Sequence, residues 1–159
     1  MKSIALIPAR YAATRFPGKL MQKLGDKTII RHTYENTLNT LLFDEVIVIT
    51  DSKIIFDEII ENGGYALMSK GIFESGSDRI AEAAAEIEVD VIINVQGDEP
   101  FVKKDPLEKL LQVFKDDKQQ QVAVASLMHI IDDEKLIADP NTVKVVVDKN
   151  RNARLSYFL

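Results

Sequence analysis

Three short segments of the chain carry residue types whose spacing suits chemistry. The first is Pro8-Ala-Arg-Tyr-Ala-Ala-Thr-Arg-Phe-Pro-Gly-Lys19, where Arg10, Arg15 and Lys19 place three cations within ten residues. Gly18 and the small residues Ala12, Ala13 and Thr14 let backbone amides approach an anion closely. A phosphate chain is held by that combination of oriented N–H groups and cations. The plainer reading of the same residues is an exposed basic turn. The second segment is Asn94-Val-Gln-Gly-Asp-Glu-Pro100, where Gly97-Asp98-Glu99 follows an apolar run. A carboxylate there suits a hard cation such as Mg²⁺ lying over nucleotide phosphates. An ordinary Gly-Asp turn is the alternative. The third segment, Glu74-Ser-Gly-Ser-Asp-Arg79, ends a loop and opens a helix. Ser77 reads as its N-cap and Asp78 as a complement to the helix dipole. Those roles leave Ser75, Gly76 and Arg79 over, and hydroxyls and backbone groups there suit a base or a sugar.

Other candidates carry less. No G-x-G-x-x-G occurs, so a dinucleotide fingerprint is absent. Gly71-Ile-Phe-Glu-Ser-Gly76 has the glycine spacing of a P-loop, but Ser77-Asp78 follow where Lys and Ser or Thr are needed. His32 and His129 have no neighbouring ligand or nucleophile and read as structural. Asp51 closes a strand, either as a cap or in the site. The absence of cysteine excludes disulfides, thiolate metal sites and cysteine nucleophiles.

The elements that must position these segments alternate between short apolar runs and helical periods. Residues 3–7, 45–50 and 91–95 read as strands buried on both faces, because nearly all their side chains are apolar. Residues 65–68 are a shorter candidate. Ile30, Tyr34, Leu38 and Leu41 fall at helical spacing, and so do Ile55, Ile59 and Ile60, with Gly63-Gly64 as a stop. Ile80, Ala83, Ala84 and Ile87 mark a third helix. Asp105 as N-cap and Pro106 as first helical residue open a fourth, with Leu107, Leu110, Leu111 and Phe114 as its inner stripe. Residues 122–128, 142–147 and 153–158 read as further strands around a short helical stretch at 132–138, which allows an antiparallel extension. The pattern predicts an α/β fold: an open, mostly parallel sheet with helices on both faces, in a single domain over residues 1–159. Ligands of such sheets bind beyond the carboxyl ends of the strands. That rule selects loops 8–20, 50–51, 69–77 and 96–104, which hold the same unusual residues.

The net charge is −5, yet residues 1–35 carry seven Lys or Arg against two acids. An acidic whole argues against general nucleic-acid binding, while the local excess of base suits a small polyanion. An apolar share of 46% and a charged share of 28% are ordinary for a globular domain. No apolar run approaches the ~18 residues of a membrane span. The first residues hold too short an apolar stretch for a signal peptide, so the expected address is the cytoplasm.

Taken together, the motifs resemble those of the 3-deoxy-manno-octulosonate (Kdo) cytidylyltransferases. Pro8-Ala9-Arg10-Tyr11, then Thr14-Arg15-Phe16-Pro17-Gly18-Lys19, is similar to that family's nucleotide-binding signature. Ser75-Gly76-Ser77-Asp78-Arg79 is similar to its Ser-Gly-Thr-Asp/Glu-Arg segment, and residues 94–100 to its most specific motif. Asn141-Thr-Val-Lys-Val-Val146 is similar to its Asn-x-Val-Lys-Val strand. The sequence departs from the pattern at Ala13, where serine is usual, at Leu20-Met21 (Pro-Leu) and at Ser77 (threonine).

The resemblance implies a Rossmann-like nucleotide-diphospho-sugar transferase fold. It implies transfer of CMP from CTP to Kdo with release of pyrophosphate, for lipopolysaccharide biosynthesis, with Mg²⁺ as cofactor. Lys19, Arg10 and Asp98 are its implied catalytic residues, and Asp98 its metal ligand. Arg10, Arg15 and Lys19 are implied to hold the triphosphate. Pro8, Ala9, Thr14, Ser75, Gly76, Arg79 and Gln96 complete the implied nucleotide site. The family continues past Leu159 with most of the sugar pocket, a second metal-binding aspartate and much of the dimer contact. The chain is therefore expected to be an N-terminal part of a homodimeric parent, truncated at the C-terminus. The implied partners are CTP and Kdo, with no nucleic acid and no membrane. Two alternatives stay open: a cytidylyltransferase for another acidic sugar, and a CTP-binding fragment without turnover.

Overall fold

The run Ser-Ile-Ala-Leu-Ile-Pro-Ala forms strand β1 (Ser3–Ala9), and all of its residues are buried. The computed structural model describes residues 1–12, 16–71, 73, 75–147 and 153–156. After β1 come a short 3-10 turn (Lys19–Met21), β2 (Lys23–Leu24), β3 (Lys27–Thr28) and helix α1 (Ile29–Leu38). Strand β4 (Glu45–Thr50), α2 (Lys53–Glu61), β5 (Ala66–Met68), α3 (Gly76–Ala84), β6 (Val91–Asn94) and α4 (Lys104–Asp116) follow. These elements lie in a compact unit of residues 1–123. Residues 124–159 form a second unit, where the sequence reading takes one domain throughout.

The main sheet has strand order β5-β4-β1-β6, and every pairing in it is parallel. Its strands are apolar at nearly every position because both faces are covered. Ala5, Ile7, Val46, Val48 and Ile93 meet Ile30 of α1, Ile55 and Ile59 of α2, and Leu107 and Leu111 of α4 in one core. Ile4, Leu6, Ile47 and Ile49, the alternate positions, form a second core with Ile80 of α3. The expected parallel sheet with helices on both faces is thus the observed one. The steps β1–α1–β4 and β4–α2–β5 run one way from β1, and β5–α3–β6 returns to its other side. With right-handed crossovers that reversal moves the helix to the opposite face, and α3 is the helix found there. A crevice opens at such a reversal, here beyond the carboxyl ends of β1 and β6.

Some expected elements differ. Leu38 and Leu41 were expected on the inner face of α1, but they are 46% and 86% exposed. The buried stripe is instead Ile30, Thr33, Tyr34 and Thr37, and Leu41 lies beyond the helix at φ 57°. Hydroxyls take apolar positions there because Thr33 and Thr37 donate to carbonyls one turn back (Ile29 and Thr33). Ile60 is likewise exposed. Helix α4 starts at Lys104 rather than Pro106, with Lys103 as a cap lacking a side-chain bond. Proline fits anywhere in a first turn, where N–H groups have no helical partner. Residues 122–128 form no strand. Their apolar run suits a strand, but a strand exists only where its backbone is paired, and Val124 is 84% exposed.

In the second unit, α5 (Glu134–Ala138) is capped by Asp133, whose side chain accepts from the Lys135 N–H. Strands β7 (Lys144–Val147) and β8 (Ala153–Ser156) pair antiparallel, with Lys144 opposite Ser156. The expected strand at 153–158 therefore appears over its first four residues, and Tyr157 and Phe158 lie outside the described residues.

Two stability measurements check this fold. Leu111→Ala, at a side chain 1% exposed, should cost about 2–5 kcal/mol in urea unfolding. Leu41→Gly should leave stability unchanged or raise it by up to about 1 kcal/mol, because left-handed leucine is strained while glycine's entropy offsets part of the relief. Within α1, Glu35 accepts from Lys27 and from Arg31 Nε at 2.6 Å. Burial pushes its carboxyl up, but the hydrogen bonds from Lys27 and Arg31 outweigh this and hold it below the ordinary 4.5. A depressed carboxyl contributes stability that is present above 4.5 and lost as pH falls through the folded value. Glu35→Gln should therefore destabilise at neutral pH and flatten the acid limb of the stability profile between 4.5 and the folded value.

Candidate functional site

Beyond the carboxyl ends of β1 and β6 lies a cleft of about 590 Å³. Pro8, Ala9 and Arg10 enter it from the end of β1, Lys19 and Leu20 from the 3-10 turn, and Gln96, Gly97 and Asp98 from the loop after β6. Ser75, Gly76 and Arg79 come from the start of α3. Of the expected site residues, only Thr14 and Arg15 are not placed, because they lie outside the described residues.

Pro8 is where these segments touch. A Cβ on Gly97 would stand 3.0 Å from the Pro8 carbonyl oxygen and 3.3 Å from the tips of Ile30 and Leu20. A Cβ on Gly76 would stand 3.1 Å from Cγ of Pro8. The two glycines thus let the Asp98 loop and the α3 N-terminus press on the same residue from different strands. Gly18 does something other than expected. Its N–H donates to the Tyr11 carbonyl at 2.8 Å and closes the basic loop on itself, so that amide is not offered to an anion.

Lys19 Nζ donates to Asp98 Oδ2 at 2.6 Å, and both side chains are 45% exposed. An ion pair so open to water contributes about 0–1 kcal/mol. The two charges hold each other loosely and exchange readily for other partners. Arg79 is the opposite case at 2% exposure: it donates to Ser69 Oγ at 2.6 Å and to Asp51 Oδ2 at 2.7 Å. Its guanidinium, expected at the base, is committed to tying the ends of β4 and β5 to α3. Asp51 is its counter-ion. One turn further on, the Glu82 carboxylate accepts the backbone N–H groups of Lys70 and Gly71 at 3.1 Å.

The cap of α3 also differs from expectation. Ser75, not Ser77, accepts from the Asp78 N–H at 3.1 Å, and its hydroxyl donates to the Asp78 carboxylate at 2.7 Å. The serine hydroxyl is used within the helix, and Gly76 is the first helical residue on the cleft wall. Gln96 donates to Asn94 Oδ1 at 3.0 Å. Phe16 and Phe73 also line the cleft, and the sequence offered no sign of either beyond membership of the loops. No helix of the described residues is long and apolar enough to cross a membrane. Among the described residues no three His, Cys, Asp or Glu side chains group to hold a metal, and Asp98 is the carboxylate lining the cleft.

Residues 4–157 match the family described as cytidylyltransferase. The 3-deoxy-manno-octulosonate cytidylyltransferase of Flavobacterium johnsoniae is 60% identical over 96% of this chain and 63% of its own length. That of Fusobacterium nucleatum is 36% identical over 99% of this chain and 70% of its own length. The chain thus spans less than two thirds of the first relative. Among solved structures, CMP:2-keto-3-deoxy-manno-octonic acid synthetase complexed with CTP is similar at a TM-score of 0.89 and 39% identity. That match covers 96% of this chain and 62% of the other.

The packing at Pro8 and the buried ion pair give a stability test. Gly97→Ala should cost about 1–3 kcal/mol, because the Pro8 backbone cannot yield as a flexible tip would. Asp51→Ala, which strands a buried guanidinium, should cost about 3 kcal/mol, whereas Lys19→Ala should cost under ~1 kcal/mol. Urea midpoints of the three variants measure the order.

Proposed function

Since the chain belongs to the cytidylyltransferase family and has the 3-deoxy-manno-octulosonate enzymes as relatives, we propose that it binds CTP and serves the transfer of CMP to Kdo. The observation that carries this reading is the cleft at the strand reversal. It brings Arg10 and Lys19, the start of α3 and the Asp98 carboxylate to one place. Cations and a helix N-terminus attract phosphates. Arg10 and Lys19 would hold the triphosphate, with Thr14 and Arg15 of the same loop. Pro8, Ala9, Ser75, Gly76 and Gln96 would flank the nucleoside, and Arg79 would keep that wall in place.

The donor set suits Mg²⁺. A lone carboxylate is insufficient for a protein-only cage, but Mg²⁺ usually takes one or two carboxylates with substrate phosphates and water. Asp98 would hold the ion, whose chemistry is to neutralise phosphate charge. In the reaction the anomeric hydroxyl oxygen of Kdo forms a bond to the α-phosphorus and its proton passes to water. The bond from that phosphorus to the bridging oxygen breaks, and pyrophosphate leaves. The chain's part is to align the triphosphate for in-line attack and to stabilise charge on the leaving oxygens through Lys19 and Arg10. We take the address to be the cytoplasm, where CTP is at hand, the assembly to be a homodimer, and the product to feed lipopolysaccharide synthesis.

Calorimetry should show CTP–Mg²⁺ bound in preference to ATP and GTP. Equal affinity for all three would remove the cytidine assignment and leave a phosphate site. In a pyrophosphate-release assay with CTP and Kdo, Lys19→Ala should weaken both binding and turnover. Asp98→Asn should lower turnover by ~3 kcal/mol of barrier and weaken the dependence on Mg²⁺. Near-normal rates for Asp98→Asn at low Mg²⁺ would sink the metal role.

A further inference from the structure

The loop that carries Asp98 is gripped from behind by α1. Thr33, 0% exposed, donates from Oγ1 to the Gly97 carbonyl at 2.9 Å. The same hydroxyl lies 3.1 Å from the Ile29 carbonyl of its own helix. One proton serves both acceptors, and the bond across to Gly97 is the shorter. Asn36, three residues on and therefore on the same face, donates from Nδ2 to the Pro100 carbonyl at 2.7 Å. The two anchored carbonyls bracket Asp98 and Glu99. Ile30 of the same helix face closes on Gly97 from the side. The loop's own internal support is thin: the Glu99 N–H bonds the Gln96 carbonyl at 3.1 Å and the Val102 N–H bonds the Glu99 carbonyl at 3.3 Å. Asp98 itself is half exposed, and its described side-chain partner is the mobile cation Lys19.

We infer that Thr33 and Asn36 are positioning residues that hold residues 97–100 so that the Asp98 carboxylate faces the cleft ready for a divalent cation on nucleotide phosphates. The inference rests on the reading of Asp98 given above. Neither side chain touches the cleft, so each acts through the backbone of the loop. Without the grip a half-exposed carboxylate on a short loop samples many orientations. The metal-dependent part of nucleotide binding then weakens, and the part carried by Arg10 and Lys19 does not.

The test is a CTP titration of the whole chain by calorimetry, once with Mg²⁺ and once in EDTA, alongside thermal unfolding. Thr33→Val keeps the shape and removes the donor, Asn36→Ala removes the second donor, and Thr33→Ser restores the hydroxyl. Thr33→Val and Asn36→Ala should each weaken binding with Mg²⁺ by about tenfold, the lower end of what losing an outer partner of a metal ligand costs. Affinity in EDTA should stay at the wild-type value, and Thr33→Ser should recover most of the loss. Asn36 is only half buried, so its variant carries the test if Thr33→Val does not fold. Equal losses in both media would show a merely structural role and overturn the inference, as would unchanged affinity with Mg²⁺ in folded variants. A wild-type chain that binds CTP no better with Mg²⁺ than in EDTA would overturn the Asp98 reading and the inference together.

Discussion

Everything at the site depends on how closely other segments approach Pro8. The residue is the last but one of a strand buried at every position, so its own place is set by the strand's packing rather than by the loops around it. Gly97 and Gly76 abut it from different parts of the chain, one at its carbonyl oxygen and one at its ring. A methyl group at either position would push the Asp98 loop or the α3 N-terminus outward. The basic loop leaves directly from Pro8 and returns at Lys19. A single packed residue therefore sets the distances among cations, helix start and carboxylate.

The second constraint is that α3 manages the loop in front of it. Arg79 and Glu82 are three residues apart and face the same way. The first draws in Ser69 and Asp51, and the second takes the backbone N–H groups of Lys70 and Gly71. The loop from β5 to α3 is thereby fastened at its beginning by the helix it leads into. Burying the guanidinium is tolerable because Asp51 and Ser69 satisfy it together; an unpaired charge there would cost several kcal/mol. That fixation uses two of the five N–H groups of the guanidinium, which also lines the cleft.

How much of this was legible in the sequence depended on whether the signal was local. The strands were legible because covering both faces demands apolar residues at every position, as in residues 45–50. The cleft was legible because Arg10, Lys19 and Asp98 stand in loops at strand ends, where a parallel sheet gathers its ligands. Whatever depended on tertiary partners was not. Thr33 and Thr37 look like surface residues, and only a helix packed on the sheet makes them core while leaving Leu38 exposed. Ser75 and Ser77 are equal as caps by type, and the first wins because its hydroxyl meets Asp78 from both sides. The strand expected at 122–128 failed for the same reason: an apolar run states a tendency, and pairing decides. Arg79 and Arg10 both line the cleft and read alike in one dimension, and burial separates the one tied to Asp51 and Ser69 from the exposed one.

The Lys19–Asp98 pair joins the basic loop to the loop after β6 across the cleft. Two groups expected to serve a triphosphate and its cation serve each other at 2.6 Å, in water, at little energetic gain. Had the pair been buried like Arg79 and Asp51, separating it would leave charges stranded, and ligand binding would have to overcome that first. Half exposure keeps both side chains in the cleft while leaving the bond easy to exchange. On the proposed function, a phosphate chain would give Lys19 an anion of higher charge, and a divalent cation would give Asp98 a better partner than an ammonium. The two exchanges would then run in the same direction, because each ligand component would release the group that the other needs. Charge complementarity of this kind would couple nucleotide and metal through one ion pair.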